Sequence, residues 1–132
     1  MTEKNILLLD DDPVFLDVTA RALKRRDHLV FTAGNLAQAE QLAQQEALHY
    51  AVIDLKIDQE SGLDCLPMLK KYHPGIRMLI LTGYSSIATA VTAIKAGAVD
   101  YACKPLDVDE ILAILCGEKT HENAIKDEPV SV

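Results

Sequence analysis

Residues 6–12 read Ile-Leu-Leu-Leu-Asp-Asp-Asp, a short apolar run that stops on three acidic side chains. Three later apolar runs also stop on a polar residue: 50–53 on Asp54, 76–81 on Thr82, and 98–103 on Lys104. Runs that are apolar throughout are typical of parallel strands that helices cover on both faces. Open α/β folds bind ligands where the carboxyl ends of such strands meet. The pattern therefore predicts one site that gathers carboxylates, a hydroxyl group and an ammonium group.

The bulk composition fits a single globular domain. The chain has 132 residues, of which 49% are hydrophobic and 25% charged, and this is enough for a proper core. A net charge of −7 argues against nucleic-acid binding by its own surface. The sequence lacks a signal-peptide pattern and an apolar run long enough to cross a bilayer, so we expect a cytoplasmic protein without a membrane partner.

The three cysteines favour a reducing compartment. Cys65, Cys103 and Cys116 are odd in number, far apart in sequence, and form no CxxC pair. This spacing argues against disulfides and zinc ligation, so we expect all three to be small, buried core residues.

The apolar runs alternate with helical patterns along the chain. We expect strands at 6–9, 28–33, 50–54, 76–81 and 99–103. The helices between them are expected to begin with caps at Asp12, Ser85 or Ser86, and Asp107. Right-handed crossovers turn this (βα)5 order into an α/β fold, a doubly wound five-stranded parallel sheet. Because the periodicity disappears from Glu118 onward, we expect one domain over 1–118 and a tail or the start of an interdomain linker over 119–132.

The acidic strand ends predict a metal site. Asp10, Asp11 and Asp54 fall on neighbouring strand ends, and clustered carboxylates need a counter-charge. Mg2+ is the usual hard cation for oxygen ligands. We expect Asp11, Asp54 and the backbone carbonyl of Lys56 to bind it, with Asp10 acting through water.

The same edge predicts phosphoryl chemistry. Asp54 is the expected nucleophile because it ends a central strand and precedes a loop with room for a phosphoryl donor. Thr82 is expected to donate a hydrogen bond to one phosphoryl oxygen, and Lys104 to neutralise another, since phosphoryl transfer depends mainly on positioning and charge. Tyr101 is expected to be half-buried strand packing beside this pocket. Each residue alone has an ordinary structural explanation, but their joint occurrence at four strand ends disfavours it.

Three segments together resemble the receiver domain of bacterial two-component response regulators: LLLDDDPVF (7–15), VIDLKIDQESGLD (52–64) and LTGYSSIATAVTAIKAGAVDYACKPLD (81–107). The resemblance covers residues 4 to about 118 and implies a CheY-like, flavodoxin-like fold. Within the family, the chain is most similar to the redox-responding regulators of the RegA/PrrA/ActR type. Those regulators carry a DNA-binding module after the receiver, so we expect DNA contact and transcription control only through a separate output domain.

The resemblance also implies a role for each matching residue. These roles are phosphoacceptor for Asp54, acidic pair for Asp10 and Asp11, metal-binding carbonyl for Lys56, switch pair for Thr82 and Tyr101, and phosphate-sensing lysine for Lys104. A sensor histidine kinase is then the phosphoryl donor. The domain is a switch that catalyses only its own phosphorylation and dephosphorylation, and it has a possible homodimer face on the fourth helix, fifth strand and fifth helix. The resemblance further implies a cis bond between Lys104 and Pro105.

Two alternatives remain open from the sequence. Asp10 and Asp12 fit the D-x-D-x-[TV] motif of haloacid-dehalogenase-like phosphatases, which also use Mg2+. That interpretation needs a further acidic pair near a late strand and leaves Asp54 unexplained. The second alternative is a scaffold that binds partners without being phosphorylated.

Overall fold

Five parallel strands form the centre of the molecule. The computed structural model describes residues 3–57, 60–83 and 86–117. The strands are β1 Asn5–Leu9, β2 Leu29–Ala33, β3 Tyr50–Ile53, β4 Arg77–Thr82 and β5 Asp100–Cys103. Their order in the sheet is β2-β1-β3-β4-β5, with every neighbouring pair parallel. The predicted doubly wound sheet is confirmed.

Five helices cover the two faces of this sheet. They are α1 Pro13–Lys24, α2 Leu36–Gln45, α3 Cys65–Tyr72, α4 Ile87–Lys95 and α5 Val108–Cys116. Successive strand side chains point to opposite faces, so Leu7 and Leu9 pack with α2 and α3 while Ile6 and Leu8 pack with α1 and α5. The alternation divides the core into two layers and explains why the central parts of the strands are apolar on both faces.

The register of the sheet brings the residues after the strands to one edge. Backbone hydrogen bonds continue past the strands, from Asp10 N to Ala33 O (3.1 Å) and from Asp54 N to Leu9 O (2.8 Å). Lys104 N likewise donates to Thr82 O at 2.9 Å. The backbone is therefore fixed where the candidate site residues begin.

The helix caps agree with the sequence pattern in two cases of three. Asp12 accepts a hydrogen bond from Val14 N at 3.0 Å, with Pro13 at the first helical position. Of the two serines considered for α4, Ser86 is the cap and accepts from Thr89 N, whereas Ser85 lies outside the described residues. Asp107 occupies the cap position of α5, but its carboxylate makes no capping hydrogen bond within the described part of that turn.

The segment after β3 is more ordered than the predicted loop. Two short strands, Lys56–Ile57 and Glu60–Ser61, pair antiparallel, and a 3-10 turn over Gly62–Asp64 leads into α3. Strands β2, β4 and β5 begin at residues 29, 77 and 100, each one residue later than predicted.

The prediction of three buried cysteines is wrong for two of them. Cys65 is fully buried, and burial raises the pKa of its thiol to about 12. Cys103 and Cys116 are exposed. Cys103 ends the edge strand β5, and Cys116 lies in the last turn of α5, so neither position is enclosed by a second layer.

In the described ranges, none of the helices has the length and apolar character needed to cross a membrane. The predicted tail, 119–132, lies outside the described residues, and the boundary at 118 remains a prediction.

Candidate functional site

Three carboxylates meet at the carboxyl edge of the sheet. Asp10 and Asp11 follow β1, and Asp54 follows the adjacent β3. One oxygen from each of the three lies within 4.8 Å of the others. Asp10 and Asp54 are buried, with 1% and 6% of their surface exposed, while Asp11 faces solvent. The neighbouring central strands thus hold two carboxylates inside the protein and a third at the mouth of the site.

One ammonium group faces this cluster. Lys104 Nζ lies 2.5 Å from Asp10 Oδ2 and 3.6 Å from Asp54 Oδ2. It also lies 4.3 Å from the centroid of the Phe15 ring, an arrangement that favours a cation. The peptide bond from Lys104 to Pro105 is cis, as the resemblance implied. Contacts on three sides therefore place the lysine between the two buried carboxylates.

The ionisation of Asp10 and Lys104 follows from this crowding. Burial raises the pKa of Asp10, and the charge of Asp54 acts in the same direction, against the hydrogen bonds from Lys104 and Asp12 N. Burial works against the charge on Lys104, but its hydrogen bond to Asp10 and the two nearby carboxylates outweigh burial and raise its pKa. Three carboxylates thus face one ammonium group, which leaves the site with excess negative charge.

Asp54 has one oxygen that none of the described residues satisfies. Its Oδ2 faces Lys104, whereas Oδ1 is buried and accepts no hydrogen bond from the described residues. A buried carboxylate oxygen without a partner is costly, so the site suits an incoming cation or electrophile. Carboxylate oxygens in excess of the local positive charge are the ligands that a hard divalent cation prefers. The residues present therefore fit a divalent metal site.

The chain after Asp54 folds back against the acid's own backbone. Gly62 N donates to Leu55 O at 2.6 Å, and a Cβ at Gly62 would lie 1.9 Å from the carbonyl oxygen of Asp54. Only glycine fits such a close approach. Lys56 lies in this segment, paired with Ser61 and with an exposed side chain, and its role as a carbonyl ligand remains a prediction.

Thr82 and Tyr101 lie on the two strands at the β5 side of the site. Thr82 ends β4 and is fully buried, and its carbonyl accepts the backbone hydrogen bond of Lys104. Tyr101 is buried, with 8% of its surface exposed, rather than half-buried as expected. Its hydroxyl lies 3.0 Å from Thr89 Oγ1 and accepts from Ser86 N at 3.3 Å. The tyrosine thus connects the sheet to the start of α4.

Asp12 is not part of the three-carboxylate cluster. Its side chain is exposed and caps α1 through Val14 N. The phosphatase alternative needs Asp12 as a second acid beside Asp10, and the capping bond directs it to the helix instead.

Two contacts of the site were missed in the sequence. The sequence pattern assigns no role in the site to Phe15 or to Thr89. Neither has a local signal, because each acquires its contact only when distant segments pack. Gly62, in contrast, lies in segment 52–64, which resembles the receiver family, so the motif already indicates that a glycine is needed at this position.

The sequence comparisons agree with this geometry. A family model for the response regulator receiver domain matches residues 6–116. RegA of Cereibacter sphaeroides, a photosynthetic apparatus regulatory protein, is 41% identical over 109 residues, which are 83% of this chain and 59% of that protein. ActR of Rhizobium meliloti, an acid tolerance regulatory protein, is 43% identical over 113 residues, 86% of this chain and 58% of that protein. The chain therefore spans less than two thirds of these curated relatives.

Solved structures give the same fold. A response regulator from Burkholderia pseudomallei, crystallised with a phosphorylated aspartic acid, a calcium ion and citrate, superposes with a TM-score of 0.87 at 41% identity. The match covers 97% of this chain and 77% of that one. A CheY-like receiver domain from Methanospirillum hungatei JF-1 gives 0.82 at 28% identity, covering 89% and 94%. The beryllofluoride-activated NtrC4 receiver domain dimer gives 0.76 at 27%, covering 83% and 92%.

Proposed function

This chain belongs to the response regulator receiver domain family of two-component systems, and on that basis we propose that Asp54 accepts a phosphoryl group from a sensor histidine kinase. The observation that carries the assignment is the buried Oδ1 of Asp54, which has no hydrogen-bond donor among the described residues. Asp10 is a weaker nucleophile because Lys104 and the backbone amide of Asp12 both bind its carboxylate. Asp12 is weaker because its carboxylate caps α1.

The proposed step is an in-line displacement at phosphorus. Asp54 Oδ1 forms the new bond to phosphorus while the bond from phosphorus to the donor nitrogen, or to the oxygen of an acyl phosphate, breaks. The bonding electrons leave with the donor. Lys104 Nζ, already 3.6 Å from the other oxygen of Asp54, neutralises charge on the phosphoryl oxygens. The Thr82 hydroxyl donates a hydrogen bond to one of them.

We assign the cation as Mg2+, held by Asp11, Asp54 and the carbonyl of Lys56, with Asp10 acting through water. When bound, the metal offsets negative charge on the phosphoryl oxygens. The excess of carboxylates over ammonium groups supports this assignment. The calcium ion in the similar Burkholderia pseudomallei structure accompanies a phosphorylated aspartic acid in that protein.

The domain is a switch rather than an enzyme with an external product. Asp54 is itself the acceptor, so the only reactions assigned to the site are its own phosphorylation and hydrolysis of the resulting acyl phosphate. We place both reactions in the cytoplasm, where the phosphorylated domain of a histidine kinase would meet it.

The exposed face of α4 supports a homodimer as the output of the switch. Ile87 is 86% exposed, and Val91 and Ile94 are each 47% exposed. Their i, i+4, i+7 spacing puts them on one face of the helix. Large apolar side chains grouped on a surface mark contact sites. We propose that the face formed by α4, β5 and α5 pairs two copies, and that any DNA contact and transcription control lie in a separate output domain.

Labelling with acetyl phosphate and Mg2+ tests the acceptor assignment. Peptide mapping by mass spectrometry should find one acid-labile phosphoryl group on Asp54, and chelation of Mg2+ should abolish it. Asp54→Asn should remove the label, whereas Asp12→Asn should keep it. A label that persists on Asp10 in the Asp54→Asn protein, or steady release of phosphate that requires Asp12, would replace the switch with the phosphatase alternative. If no label forms under any condition, the alternative that remains is a scaffold that binds partners without being phosphorylated.

A further inference from the structure

The hydroxyl group of Tyr101 contacts the first turn of α4. It lies 3.0 Å from Thr89 Oγ1 and accepts from Ser86 N at 3.3 Å. The ring itself packs in the core layer shared with α2 and α3. A single side chain on β5 thus spans from the core to the first turn of α4.

The hydrogen bonds around Thr89 have one consistent set of directions. A hydroxyl group has one proton and two lone pairs. Thr89 Oγ1 donates to Ser86 O at 3.1 Å, so its lone pairs are available to the hydroxyl of Tyr101 and to Ser86 Oγ at 2.8 Å. Tyr101 therefore donates to Thr89, while its own oxygen accepts from Ser86 N. The two hydrogen bonds that involve Tyr101 require its hydroxyl group to stay at the first turn of α4.

The rest of the α4 region contacts the core through small side chains, with Ala90 and Ala96 partly buried against it. Ala93 is its one fully buried side chain in the described part of the chain, and Ile87, Val91 and Ile94 are exposed. A helix held by so little apolar packing depends more on each polar contact. The hydrogen bond between Thr89 and Tyr101 therefore affects both the position of the tyrosine ring and the position of the first turn of α4.

We propose that Thr89 is a positioning residue, which holds Tyr101 in its buried position and so couples the start of α4 to phosphorylation of Asp54. The proposal rests on the function proposed above. When a phosphoryl group on Asp54 draws the Thr82 hydroxyl towards itself, the space that the hydroxyl leaves becomes available to the ring of Tyr101. Thr89 therefore stabilises in advance the ring position that the phosphorylated domain uses, and its loss lowers the population competent for the phosphoryl group.

Titration with beryllofluoride in saturating Mg2+, followed by NMR, tests this role. A neutral hydrogen bond changes an equilibrium by about fivefold, so Thr89→Val should weaken the apparent affinity for beryllofluoride by about that factor. Thr89→Ser keeps the hydroxyl and should bind like the parent. Thr92→Val is the matched control, because the Thr92 hydroxyl donates to Ala88 O within the same helix and its side chain is exposed. The control should also bind like the parent.

A double-mutant cycle separates positioning from general damage to the helix. If Thr89 acts through the tyrosine hydroxyl, Thr89→Val should have no further effect on beryllofluoride affinity in a Tyr101→Phe background. Equal affinities for the parent and Thr89→Val, or additive effects of the two substitutions, would overturn the role of Thr89. A parent that does not bind beryllofluoride, or that binds equally well as Asp54→Asn, would instead overturn the proposed function.

Discussion

The two edges of the sheet each contain a buried polar atom that has no hydrogen-bond partner among the described residues. At the carboxyl edge this atom is Asp54 Oδ1, and at the amino edge it is Nε2 of His28. At both ends of the strands, a buried polar atom without a hydrogen bond costs free energy of folding. The groups around the two atoms, however, are of different kinds.

Charge of one sign is in excess at the carboxyl edge, whereas the charged groups that act on His28 at the amino edge, Glu3, Lys4 and Asp27, are of both signs. Asp54 lies beside Asp10, Asp11 and Lys104, and these groups leave an excess of negative charge. At the other end, burial lowers the pKa of His28, and its Nδ1 accepts from Lys4 N at 3.1 Å. The unsatisfied oxygen of Asp54 thus lies in a negatively charged cluster, while the unsatisfied nitrogen of His28 belongs to a ring that accepts a backbone hydrogen bond. In this domain, the unsatisfied atom that points to function is the one whose neighbours carry an excess of one charge.

The largest expected effect is at the backbone of the carboxyl edge. Gly62→Ala would bring a Cβ to 1.9 Å from the carbonyl oxygen of Asp54, so the segment must move. We expect a loss of about 3 kcal/mol in the free energy of unfolding, measured by urea denaturation, together with weaker labelling of Asp54. Gly75→Ala is the matched control, since a Cβ there meets no atom within 4 Å, and it should change neither quantity. Equal stability of the two variants would contradict the close packing at Gly62.

The next effect sets stability against function at Asp54. Without divalent metal, Asp54→Asn removes one of the crowded negative charges and should stabilise the fold by about 1 kcal/mol. Addition of Mg2+ should raise the melting temperature of the parent more than that of the variant. Asp64→Asn, at an exposed carboxylate outside the cluster, should behave like the parent in both buffers. A destabilised Asp54→Asn protein would show that this carboxylate stabilises the fold rather than serving as a site.

A smaller effect concerns the ring beneath the lysine. Phe15→Leu preserves the apolar packing of α1 but removes the aromatic face 4.3 Å from Lys104 Nζ. An interaction of about 0.5–1 kcal/mol would be lost, so labelling by acetyl phosphate should slow by about threefold. Val14→Ala, on the exposed part of the same turn, should label at the parent rate. Unchanged kinetics in Phe15→Leu would remove the ring from the account of the site.

The smallest effect is at the amino edge and depends on pH. Because burial depresses the pKa of His28 in the folded state, the unfolded chain binds more protons below about pH 6.5. The contribution of His28 to stability is then fully present above that pH and is lost as the pH falls towards the folded pKa. His28→Gln should therefore show a shallower loss of stability between about pH 7 and pH 5, with labelling of Asp54 unchanged. An identical pH dependence in both proteins would show that His28 does not titrate differently on folding.

The carboxyl edge was predictable because its information is local. Each apolar run ends at the residue that enters the site, and parallel strands joined by helices bring those ends together without further instruction. Asp10, Asp54, Thr82 and Lys104 were placed at one edge by this rule alone. In such a case, the order of residues along the chain is enough to predict which side chains lie close together.

The contacts of Phe15 and Thr89 were not predictable in the same way. Both depend on how far a helix rotates against the sheet and on which rotamer a distant side chain adopts, and no short segment encodes either quantity. The exposure of Cys103 was missed for a related reason, since sheet order decides that β5 is an edge strand. The sequence located the charged and polar groups of the candidate site, whereas the packing contacts around them required the structure.

The amide chemical shifts of the domain, recorded before and after addition of beryllofluoride and Mg2+, test most directly the claim that Asp54 at the carboxyl edge controls the conformation of β5 and α4 and leaves the amino edge unchanged. We predict large changes around Asp54, at Thr82, at Tyr101 and through α4, with the amides around His28 and His49 unchanged. Asp54→Asn should show none of the changes caused by beryllofluoride. Changes confined to the immediate surroundings of Asp54, or changes that reach the amino edge to the same extent, would contradict the account.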